Sequence, residues 1–515
     1  MRYEPVIGLE IHVQLATKSK MFCACPIPGE EAAPNTSVCP VCMGHPGTLP
    51  VANAQAVRLG IKVGLALGCT IPDQAKFDRK HYFYPDLPKG YQISQYDEPI
   101  CRDGKLTIDF PASAGRAAAE IRIERAHLEE DAAKNVHAGD RTGVEAADAT
   151  LVDYNRAGTP LLETVTAPDL RSPAEAKTFL QEFRAILRTL AVSDADMERG
   201  HMRCDANISL RRVNDDGSII DLTFNPKTEI KNLNSFRAVE RALEYEIQRQ
   251  TKLFEEGTPP MGGETRGWND GKGVTEPQRT KEGEADYRYF PEPDLPPLLL
   301  ADMVKQEGGL PELPAAKRRR FMDEYGFAAA DARQMAAEPD LANYVEQVAS
   351  ELGDWLSSLP EVEGTATDIW KNQKDKLAKL ISGWVLSKLG GLMAERNVAW
   401  GDLKISPEDF AEFLSLIWTQ KVNSTAAQVI LAEMLETGKD PSHIMEDRGL
   451  GQISEPEELR PVVRDILAKN PDVAAQYRAG KTQVLKSLVG MAMKVTEGRA
   501  HPQTTEKLFT EELAG

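Results

Sequence analysis

Four cysteines near the start of the chain lie in two close pairs. Cys23 and Cys25 form a C-x-C pair, and Cys39 and Cys42 follow as a C-x₂-C pair after thirteen intervening residues. Four thiolates in this arrangement can close tetrahedrally on Zn²⁺ and then leave no open coordination position for catalysis. The first pair is tighter than the usual C-x₂-C, so reduced cysteines without a metal are the alternative. The spacing favours a structural zinc site near residues 23–42.

Acidic and histidine residues on two strand-like segments could bind a second kind of metal ion. Glu10 and His12 are two residues apart, so on a strand their side chains leave the same face. Adjacent acids in the run Glu129–Asp131 form a carboxylate cluster that suits Mg²⁺, a hard cation that prefers oxygen ligands. Glu163 has apolar neighbours in the sequence. If its carboxylate is buried, it needs a cation or a hydrogen-bond donor as a partner. Each of these also has a plainer interpretation, as a solvated strand face or a structural acid.

Basic residues accompany these carboxylates along the chain. Arg156, Arg203 and Lys231 each lie in a short polar segment that also contains an acid. Such groupings suit the binding of phosphate together with a bridging metal. The sequence contains neither a G-x-x-x-x-G-K-[ST] P-loop nor a G-x-G-x-x-G motif after a strand, which disfavours an ordinary nucleotide-binding fold. An ATP site in this chain would therefore be of an open-sheet, carboxylate–metal kind.

Hydrophobic periodicity predicts the elements that position these residues. In Val6–Leu15 the apolar residues from Ile7 onward take every odd position, and the run His201–Arg211 alternates in the same way. Ser172 and the proline after it open a helix whose apolar stripe runs along Ala176–Leu190, and another helix follows Ser235. Strands and helices in one block predict an α+β fold, with a mixed or antiparallel sheet that presents one polar face.

The length of 515 residues predicts several domains. The first part is rich in Gly, Pro and alternating segments, whereas the later part has the pattern of successive helices. Pro291–Pro297 is typical of a stiff connector. Ser406, followed by Pro407 and two acids, is a good helix start, and Ser454 before Glu455 and Pro456 repeats it. The predicted domains are residues 1–295, with the zinc-binding insert, then 296–405 and 406–515.

Charge and composition exclude some classes of protein. The 61 basic and 79 acidic residues give a formal net charge of −18, which argues against a protein that coats nucleic acid through phosphate contacts. Lys317–Arg320 is a candidate RNA-binding patch, although a solvated helix face explains it equally well. The seven cysteines do not indicate a disulfide framework. Without a signal peptide or an apolar run of about 18 residues, we expect a cytoplasmic protein that does not enter a membrane.

Eight segments resemble the GatB family of tRNA-dependent amidotransferase subunits. They are long, they follow the order found in that family, and the likeness runs from end to end. So many long motifs in one order leave little room for chance. The segments are Gly8–His12, Phe77–Asp86, Gly90–Gln95, His127–Asp131, Asp153–Thr159, Arg203–Ser209, Glu229–Phe236 and Asp286–Pro291.

The resemblance implies a fold and a reaction. The fold is a cradle domain with a glutamine-synthetase-like sheet, followed by two all-α domains, a helical domain and a YqeY-like tail domain that we expect to contact tRNA. The reaction uses ATP and Mg²⁺ to phosphorylate the side-chain carboxylate of Glu-tRNA(Gln) or Asp-tRNA(Asn), and ammonia then displaces phosphate. A GatA-type amidase subunit would make the ammonia from glutamine. A GatC-type small subunit would complete a heterotrimer, which acts as a carbon–nitrogen ligase with glutamine as amide donor.

The resemblance also implies roles for residues within the matching segments. The expected Mg²⁺ ligands are His12, Glu130 and Glu163. The expected catalytic residues are Glu10, His12, Glu129, Glu130, Glu163 and Asp205. The residues expected to bind ATP or substrate are Arg156, Arg203 and Lys231. Some relatives lack the four cysteines, so Zn²⁺ is expected to be structural and not required for the chemistry.

Two other functions compete with this one. A non-enzymatic RNA-binding adaptor would explain the cysteines and the helical tail, but not the clustered carboxylates. A stand-alone ligase of glutamine-synthetase type that acts on a free amino acid would explain the carboxylates, but not the long helical C-terminal half. Comparing ATP cleavage with Glu-tRNA, Asp-tRNA and free glutamate separates the three functions.

Overall fold

The computed structural model of the protein describes residues 2–29, 31–138, 149–280, 287–360 and 363–514. These residues divide into two units, Met1–Pro314 and Ala315–Gly515. Asp286, the first residue of the last family-like segment, lies outside the described residues.

The first unit is built around β-strands. In chain order they are β1 (Arg2–Gln14), β2 (Gln74–Ala75), β3 (Asp78–His81), β4 (Tyr91–Ser94), β5 (Cys101–Asp109), β6 (Ala118–Glu130), β7 (Lys134–Ala138), β8 (Ala149–Asp153), β9 (Pro160–Thr166), β10 (Met202–Val213), β11 (Thr228–Leu233), β12 (Glu264–Asn269), β13 (Val274–Thr280), β14 (Phe290–Pro291) and β15 (Leu298–Leu299). Its helices are α1 (Ala54–Ala66), α2 (Pro173–Thr189), α3 (Phe236–Glu255) and α4 (Ala301–Gln306), with a 3₁₀ turn at Ala112–Ala114.

Within the described residues, eight strands form one mixed sheet in the order β13-β12-β11-β10-β1-β9-β6-β5. The β11–β12 pair is parallel, whereas β1 pairs antiparallel with both β10 and β9. The register places His12 opposite Arg203 on one side and opposite Glu163 on the other. The α+β fold class expected from the sequence is confirmed, with a mixed sheet in the N-terminal unit and a helical C-terminal unit.

Helices α1, α2 and α3 pack on one face of this sheet and bury its apolar side chains. On β1 the odd-numbered residues Ile7–Val13 are buried, as their alternation predicted. The apolar stripe Ala176–Leu190 of α2 is buried too. Ser172 caps α2 by accepting a hydrogen bond from the Glu175 amide, and Ser235 caps α3 in the same way. The polar side chains of these strands lie on the opposite face of the sheet.

The first unit continues through the connector expected at Pro291–Pro297. Strand β14 pairs with β3, and β15 pairs with β2. Arg79 donates two hydrogen bonds to the buried Glu292 carboxylate, with Nε–Oε2 2.7 Å and Nη2–Oε1 2.8 Å. The unit therefore ends at Pro314, later than the expected residue 295, because backbone pairing and an ion pair bind this segment to the sheet domain. The division into three domains stays a prediction.

The described part of the second unit is helical. Its helices are α5 (Pro314–Arg320), α6 (Ala329–Ala336), α7 (Pro339–Ser358), α8 (Ala366–Ser382), α9 (Gly390–Glu395), α10 (Pro407–Trp418), α11 (Ser424–Thr437), α12 (Pro441–Asp447), α13 (Pro456–Lys469), α14 (Pro471–Arg478), α15 (Val484–Val495) and α16 (Pro502–Ala514). Short π-helical segments, Phe321–Tyr325 and Gly383–Leu389, and a 3₁₀ turn, Trp400–Asp402, lie between some of them.

Two hydrophobic clusters fill this second unit. One contains buried residues from Phe321 to Ile444, and the other contains residues from Leu459 to Leu513. Ser406 caps α10 as predicted, because its Oγ accepts a hydrogen bond from the Asp409 amide at 3.0 Å. The cap of α13 differs from the prediction, since its N-cap residue is Glu455 and no side chain caps it. Residue 406 is thus a helix start, and α10 packs in the first of these clusters.

Truncating the chain before Ser406 should unfold what remains of the second unit. The cut removes α10, whose buried Phe410, Phe413 and Leu414 pack in the same core as α7. Losing even one such side chain costs about 2–5 kcal/mol. A cut after Leu450 keeps that core and should leave a cooperatively folding protein. Thermal melting followed by circular dichroism compares the two, and equally cooperative melting of the shorter chain would contradict the expectation.

The basic run Lys317–Arg320 is largely matched by acids of its own unit. Glu346 of α7 lies 3.7 Å from Lys317 Nζ and 2.5 Å from Arg320 Nη1. Arg318 is buried. These contacts favour a role in packing the helical unit over a free RNA-binding patch.

Within the described residues, one helical run has the length and composition of a membrane span. The run is Ala366–Glu395, and its most apolar window has a mean hydropathy of 1.2. Almost half of that window, 44%, is buried inside the protein, and Leu377, Ile381 and Val385 belong to the larger core of the second unit. Core helices pass the same test of length and hydropathy, so the run is weak evidence for a membrane span.

Candidate active site and metal centre

A cavity of about 610 Å³ opens on the polar face of the eight-stranded sheet. Strands β1, β6, β9, β10 and β11 all contribute side chains to it. Seven of the nine residues expected to act in catalysis or ligand binding line this cavity, and two do not. The seven are Glu10, His12, Glu129, Glu163, Arg203, Asp205 and Lys231.

His12 lies at the centre of the acidic part of this cavity. Its Nε2 is 3.3 Å from Glu163 Oε2, 3.6 Å from Glu129 Oε1 and 4.0 Å from Glu10 Oε1. Strand alternation explains the arrangement, because Glu10 and His12 leave the same face of β1 while Glu163 is the cross-strand neighbour of His12 on β9. An imidazole nitrogen and three carboxylates therefore share one small volume.

A second histidine, His127, was not predicted as a site residue. Its Nε2 is 3.4 Å from Glu163 Oε2 and 3.8 Å from Glu129 Oε2. The ligand atoms of His127, Glu129 and Glu163 lie within 4.8 Å of one another, as do those of Glu10, His12 and Glu163. The sequence could have indicated His127 through its i, i+2 spacing from Glu129 on β6. The same spacing identified Glu10 and His12.

Opposite charges set the protonation of this cluster. Burial lowers the pKa of His127, but Glu163 and Glu129 raise it to about 9. Burial also lowers the pKa of His12, and the hydrogen bond to Glu163 with the nearby acids raises it above its usual range. For Glu163, burial raises the pKa, but the two histidines hold it well below its usual value. The carboxylates thus carry negative charge that protonated imidazoles or a metal cation can balance.

The donor set fits a divalent cation that prefers oxygen. Three carboxylates offer the oxygen ligands that Mg²⁺ takes in proteins. His12 and His127 add imidazole nitrogens, which other divalent metals also accept. The cavity leaves room beside these groups for ligands from a substrate. The structure therefore supports a metal site here, and the identity of the metal belongs to the proposal below.

Glu130 lies on the opposite face of β6 from this cluster. Its Oε1 accepts hydrogen bonds from the Ile93 amide at 3.0 Å and from Lys89 Nζ at 2.5 Å. Glu129, the preceding residue, faces the cavity in its place. The ligand set expected from the family motifs, His12, Glu130 and Glu163, is therefore not assembled in the structure.

Basic side chains line the other part of the cavity, each held by acids. Lys231 Nζ lies 2.9 Å from Asp205 Oδ2 and 3.1 Å from Glu229 Oε1. Arg203 Nη2 donates to Asp131 Oδ1 at 2.9 Å. These ion pairs orient the cations while leaving donor hydrogens for an anionic ligand.

Arg156 does not line the cavity, although a phosphate-binding role was expected for it. Its Nε donates to the carbonyl oxygen of Ala132 at 3.0 Å, and its Nη2 donates to that of Ala133 at 2.8 Å. Nε also lies 3.6 Å from Asp131 Oδ2. The guanidinium therefore holds the backbone that follows β6 and the carboxylate that pairs with Arg203.

Lys80 and three tyrosines complete the cavity, and sequence reasoning did not single them out. Lys80 Nζ lies 4.9 Å from the ring centroid of Tyr287, and Tyr82 and Tyr289 also line the cavity. Burial lowers the pKa of Lys80, but Glu129 and other neighbours raise it above its usual value, so the ammonium stays charged. All four residues lie in family-like segments. A lysine and three tyrosines at these spacings do not by themselves indicate a catalytic or binding role.

The four paired cysteines come together as their spacing predicted. Their Sγ atoms lie within 4.8 Å of one another, and Cys39 and Cys42 are separated by 3.9 Å between sulfurs. A tetrahedron with Zn–S bonds of about 2.3 Å has edges of about 3.8 Å, close to that distance. The buried ammonium of Lys20 lies 3.8 Å from Cys42 Sγ. The four thiols are close enough together to hold one metal ion.

Comparison with known proteins places these features in a family. The model of the GatB/GatE catalytic domain matches residues 5–306, and a further GatB domain model matches residues 367–513. A protein of Thermomicrobium roseum is 45% identical over 515 residues, covering all of this chain and 99% of its own. Proteins of Thermotoga maritima and Thermoanaerobacter pseudethanolicus are 44% and 43% identical over the full length of both chains.

All three relatives are named as the same subunit of an aspartyl/glutamyl-tRNA(Asn/Gln) amidotransferase. Amidotransferases of this kind are ligases that form a carbon–nitrogen bond with glutamine as the amide donor, and this chain is a component of such an enzyme. The two matched domains and the full-length identity show that the chain belongs to the GatB family of tRNA-dependent amidotransferase subunits.

Proposed function

We propose that this chain activates the side-chain carboxylate of Glu-tRNA(Gln) or Asp-tRNA(Asn) by ATP-dependent phosphorylation, and that amidation follows in the same cavity. The observation that carries the proposal is the juxtaposition, in one cavity, of the acidic cluster around His12 with the cations Lys231, Arg203 and Lys80. Acids that can hold a metal beside cations that can hold phosphate are what phosphoryl transfer requires. An inert RNA-binding adaptor would not need this arrangement.

The acidic cluster would hold Mg²⁺ through His12, Glu129 and Glu163, with Glu10 beside them. When bound, the cation would supply charge stabilisation for the phosphate oxygens during transfer. Burial of Glu129 and Glu163 fixes their positions, because buried carboxylates with several partners have few alternative rotamers. The protein would thus present a preformed negative site to the metal.

The basic part of the cavity would bind the anionic ligands. Arg203 and Lys231 are already oriented by Asp131 and Asp205, so they lose little side-chain freedom on binding phosphate. Lys80, charged because of Glu129, would attract the substrate carboxylate or the phosphate transferred to it. These cations are preorganised donors, which is how protein groups stabilise charge that develops in a transition state.

The chemistry proceeds in two balanced steps. A carboxylate oxygen of the substrate attacks the terminal phosphorus of ATP, and ADP leaves. Ammonia then attacks the acyl carbon of the acyl phosphate, inorganic phosphate leaves, and the nitrogen loses a proton. Glu10 is a carboxylate that lines the cavity, so we propose it as the group that accepts this proton.

The proposal includes partners and a structural metal. A GatA-type amidase would supply ammonia, and a GatC-type small subunit would join the two larger subunits in a cytoplasmic heterotrimer. The tail segment, residues 406–515, would help to bind tRNA. The four-cysteine centre would hold a structural Zn²⁺, which supplies no open coordination position.

ATP cleavage by the purified heterotrimer tests the proposal. We expect cleavage, and an equal amount of amidated product, with Glu-tRNA(Gln) or Asp-tRNA(Asn) in the presence of Mg²⁺ and glutamine. Free glutamate at the same concentration should give none. Cleavage with free glutamate would favour a stand-alone ligase, and binding of tRNA with no ATP cleavage by any substrate would favour an adaptor.

A further inference from the structure

Strand β11 departs from regular alternation between Lys231 and Leu233. Strict alternation, which buries Thr228 and Ile230, would also bury Asn232. Asn232 is instead exposed, and Leu233 is buried in the core of the first unit. The strand must therefore contain one extra residue at this point.

The pairing of β11 with β10 locates the extra residue. The register shifts between Cys204 and Ala206 of β10. Cys204 lies opposite Leu233 and not opposite the residue before it. Two residues of β11, Lys231 and Asn232, are therefore left facing one residue of β10. Two residues against one form a β-bulge, which bends a strand and re-aims its side chains.

Asn232 has a left-handed backbone, with a φ of +63°. Residues other than glycine rarely adopt this conformation, because Cβ then crowds the following carbonyl oxygen, and asparagine is among the few that tolerate it. Gly267 lies beside this bulge on β12 and leaves space there, since a Cβ at residue 267 would lie 3.1 Å from Asn232 Nδ2. Backbone strain of this kind clusters at functional sites. The strained conformation therefore calls for a functional explanation.

The bulge lies at the cavity that contains the acidic cluster, and both Lys231 and Asn232 line that cavity. Lys231 Nζ lies 2.9 Å from Asp205 Oδ2 and 3.1 Å from Glu229 Oε1. Burial lowers the pKa of Lys231, but Asp205 and Glu229 raise it above its usual value. The ammonium therefore stays charged and is held by two acids at the cavity wall.

We infer that Asn232 is a positioning residue, whose left-handed conformation forms the bulge that holds the Lys231 ammonium against its two acids. The inference deepens the proposed function and rests on it, because Lys231 is there assigned to the anionic ligand. In a regular strand residues two apart share a face, so Lys231 and Leu233 would point the same way. The bulge lets Lys231 reach the cavity while Leu233 returns to the core.

Substitutions at residue 232 separate the role of its backbone from that of its side chain. Glycine adopts a left-handed backbone without strain, whereas a β-branched residue is strongly disfavoured there. Asn232→Val should lower kcat/KM for tRNA-dependent ATP cleavage by the heterotrimer by roughly tenfold. Asn232→Gly, which keeps the backbone but removes the amide, should stay within about twofold of the wild type. Asn232→Ala should change activity in the same direction as the valine variant.

Two further measurements connect the effect to Lys231. Lys231→Met should itself lower kcat/KM, and adding Asn232→Val to it should cause no further loss, because residue 232 acts through the lysine. Acetylation of Lys231 by acetic anhydride, followed by mass spectrometry, should be faster in Asn232→Val, since an ammonium that has lost its acids gives up its proton more readily. Acetylation of the other lysines should not change, which excludes general unfolding.

Asn397→Val is the matched control. Asn397 also has a left-handed backbone, with a φ of +52°, but it lies in the second unit and does not line the cavity. This variant should lose thermal stability while ATP cleavage and the acetylation of Lys231 stay unchanged.

Equal loss of activity in Asn232→Gly and Asn232→Val would overturn the inference, because the side-chain amide would then be the functional group. Unchanged acetylation of Lys231 in Asn232→Val would overturn it as well. Failure of the proposed function looks different, since the wild-type heterotrimer would then cleave no ATP. The acetylation measurement still tests the bulge in that case.

Discussion

Replacing Glu163 by Gln should lower tRNA-dependent ATP cleavage by roughly a thousandfold, which corresponds to about 4 kcal/mol at about 1.4 kcal/mol per factor of ten. Glu163 is the one carboxylate within 3.4 Å of both His12 and His127 among the described residues. The substitution keeps the shape of the side chain but removes the negative charge that both potential metal sites share. We expect the remaining activity to need a higher Mg²⁺ concentration.

Glu175→Gln is the matched control for this substitution. Glu175 is also a buried acid of the first unit, and it pairs with Arg116 at 2.7 Å outside the cavity. The control should keep ATP cleavage near the wild-type rate, and both variants should assemble with their partners and retain glutaminase activity. Wild-type ATP cleavage by Glu163→Gln would remove Glu163 from the site. Loss of assembly in Glu163→Gln alone would indicate a structural acid.

Strand alternation in the sequence was enough to predict which residues of two strands share one sheet face. The strict odd–even pattern of β1 placed Glu10 and His12 together, and the pattern of β10 placed Arg203 and Asp205 on one face. These strands are long and regular, and their apolar faces are buried, so a slip of one residue would expose the core. The fold class and the starts of α2, α3 and α10 were predictable for related reasons of period and capping.

The acids of β6 could not be assigned in the same way. Straight alternation from Ile121 and Ile123 would turn Glu130 toward the polar face and Glu129 away from it. The pairing of β6 with β9 shifts register between Ile123 and Arg125, which reverses the two faces beyond that point. A bulge of this kind adds one residue to one strand and leaves no mark in hydrophobic periodicity. The choice between adjacent acids therefore needs the structure.

The two segments that were predicted to separate domains have packing partners that are distant in sequence. The proline-rich segment after Phe290 has the composition of a linker, yet Glu292 is buried against Arg79, more than two hundred residues earlier. Ser406 has the composition of a domain start, yet α10 shares a core with α7. Local composition indicates which backbone conformations a segment prefers. Domain boundaries depend instead on packing contacts with residues that are distant in sequence.

Replacing both Cys39 and Cys42 by Ser should abolish zinc binding and lower the thermal stability of the heterotrimer. Both cysteines lie in the four-sulfur cluster, and structural Zn²⁺ in small cysteine sites contributes about 10–16 kcal/mol of apparent binding free energy. The loss of stability in the double variant should be smaller than this binding free energy, because the first unit also has a large apolar core. The loss should also be confined to the region of the cysteines.

Metal analysis should find about one zinc per chain in the wild-type protein and none in the double variant. Cys69→Ser is the control, since Cys69 is a free cysteine outside the cluster and should leave the zinc content unchanged. The backbone beside the cluster also supports the cavity, because the Met21 amide donates to the Gly158 carbonyl, and the Gly158 amide donates to the Asp131 carbonyl. Zinc loss should therefore weaken the backbone hydrogen bonds that hold Asp131, the partner of Arg203. ATP cleavage should fall as a result, but by a smaller factor than in Glu163→Gln. Zinc that persists in the double variant, or a wild-type protein purified without zinc, would contradict a tetrahedral zinc centre at these residues.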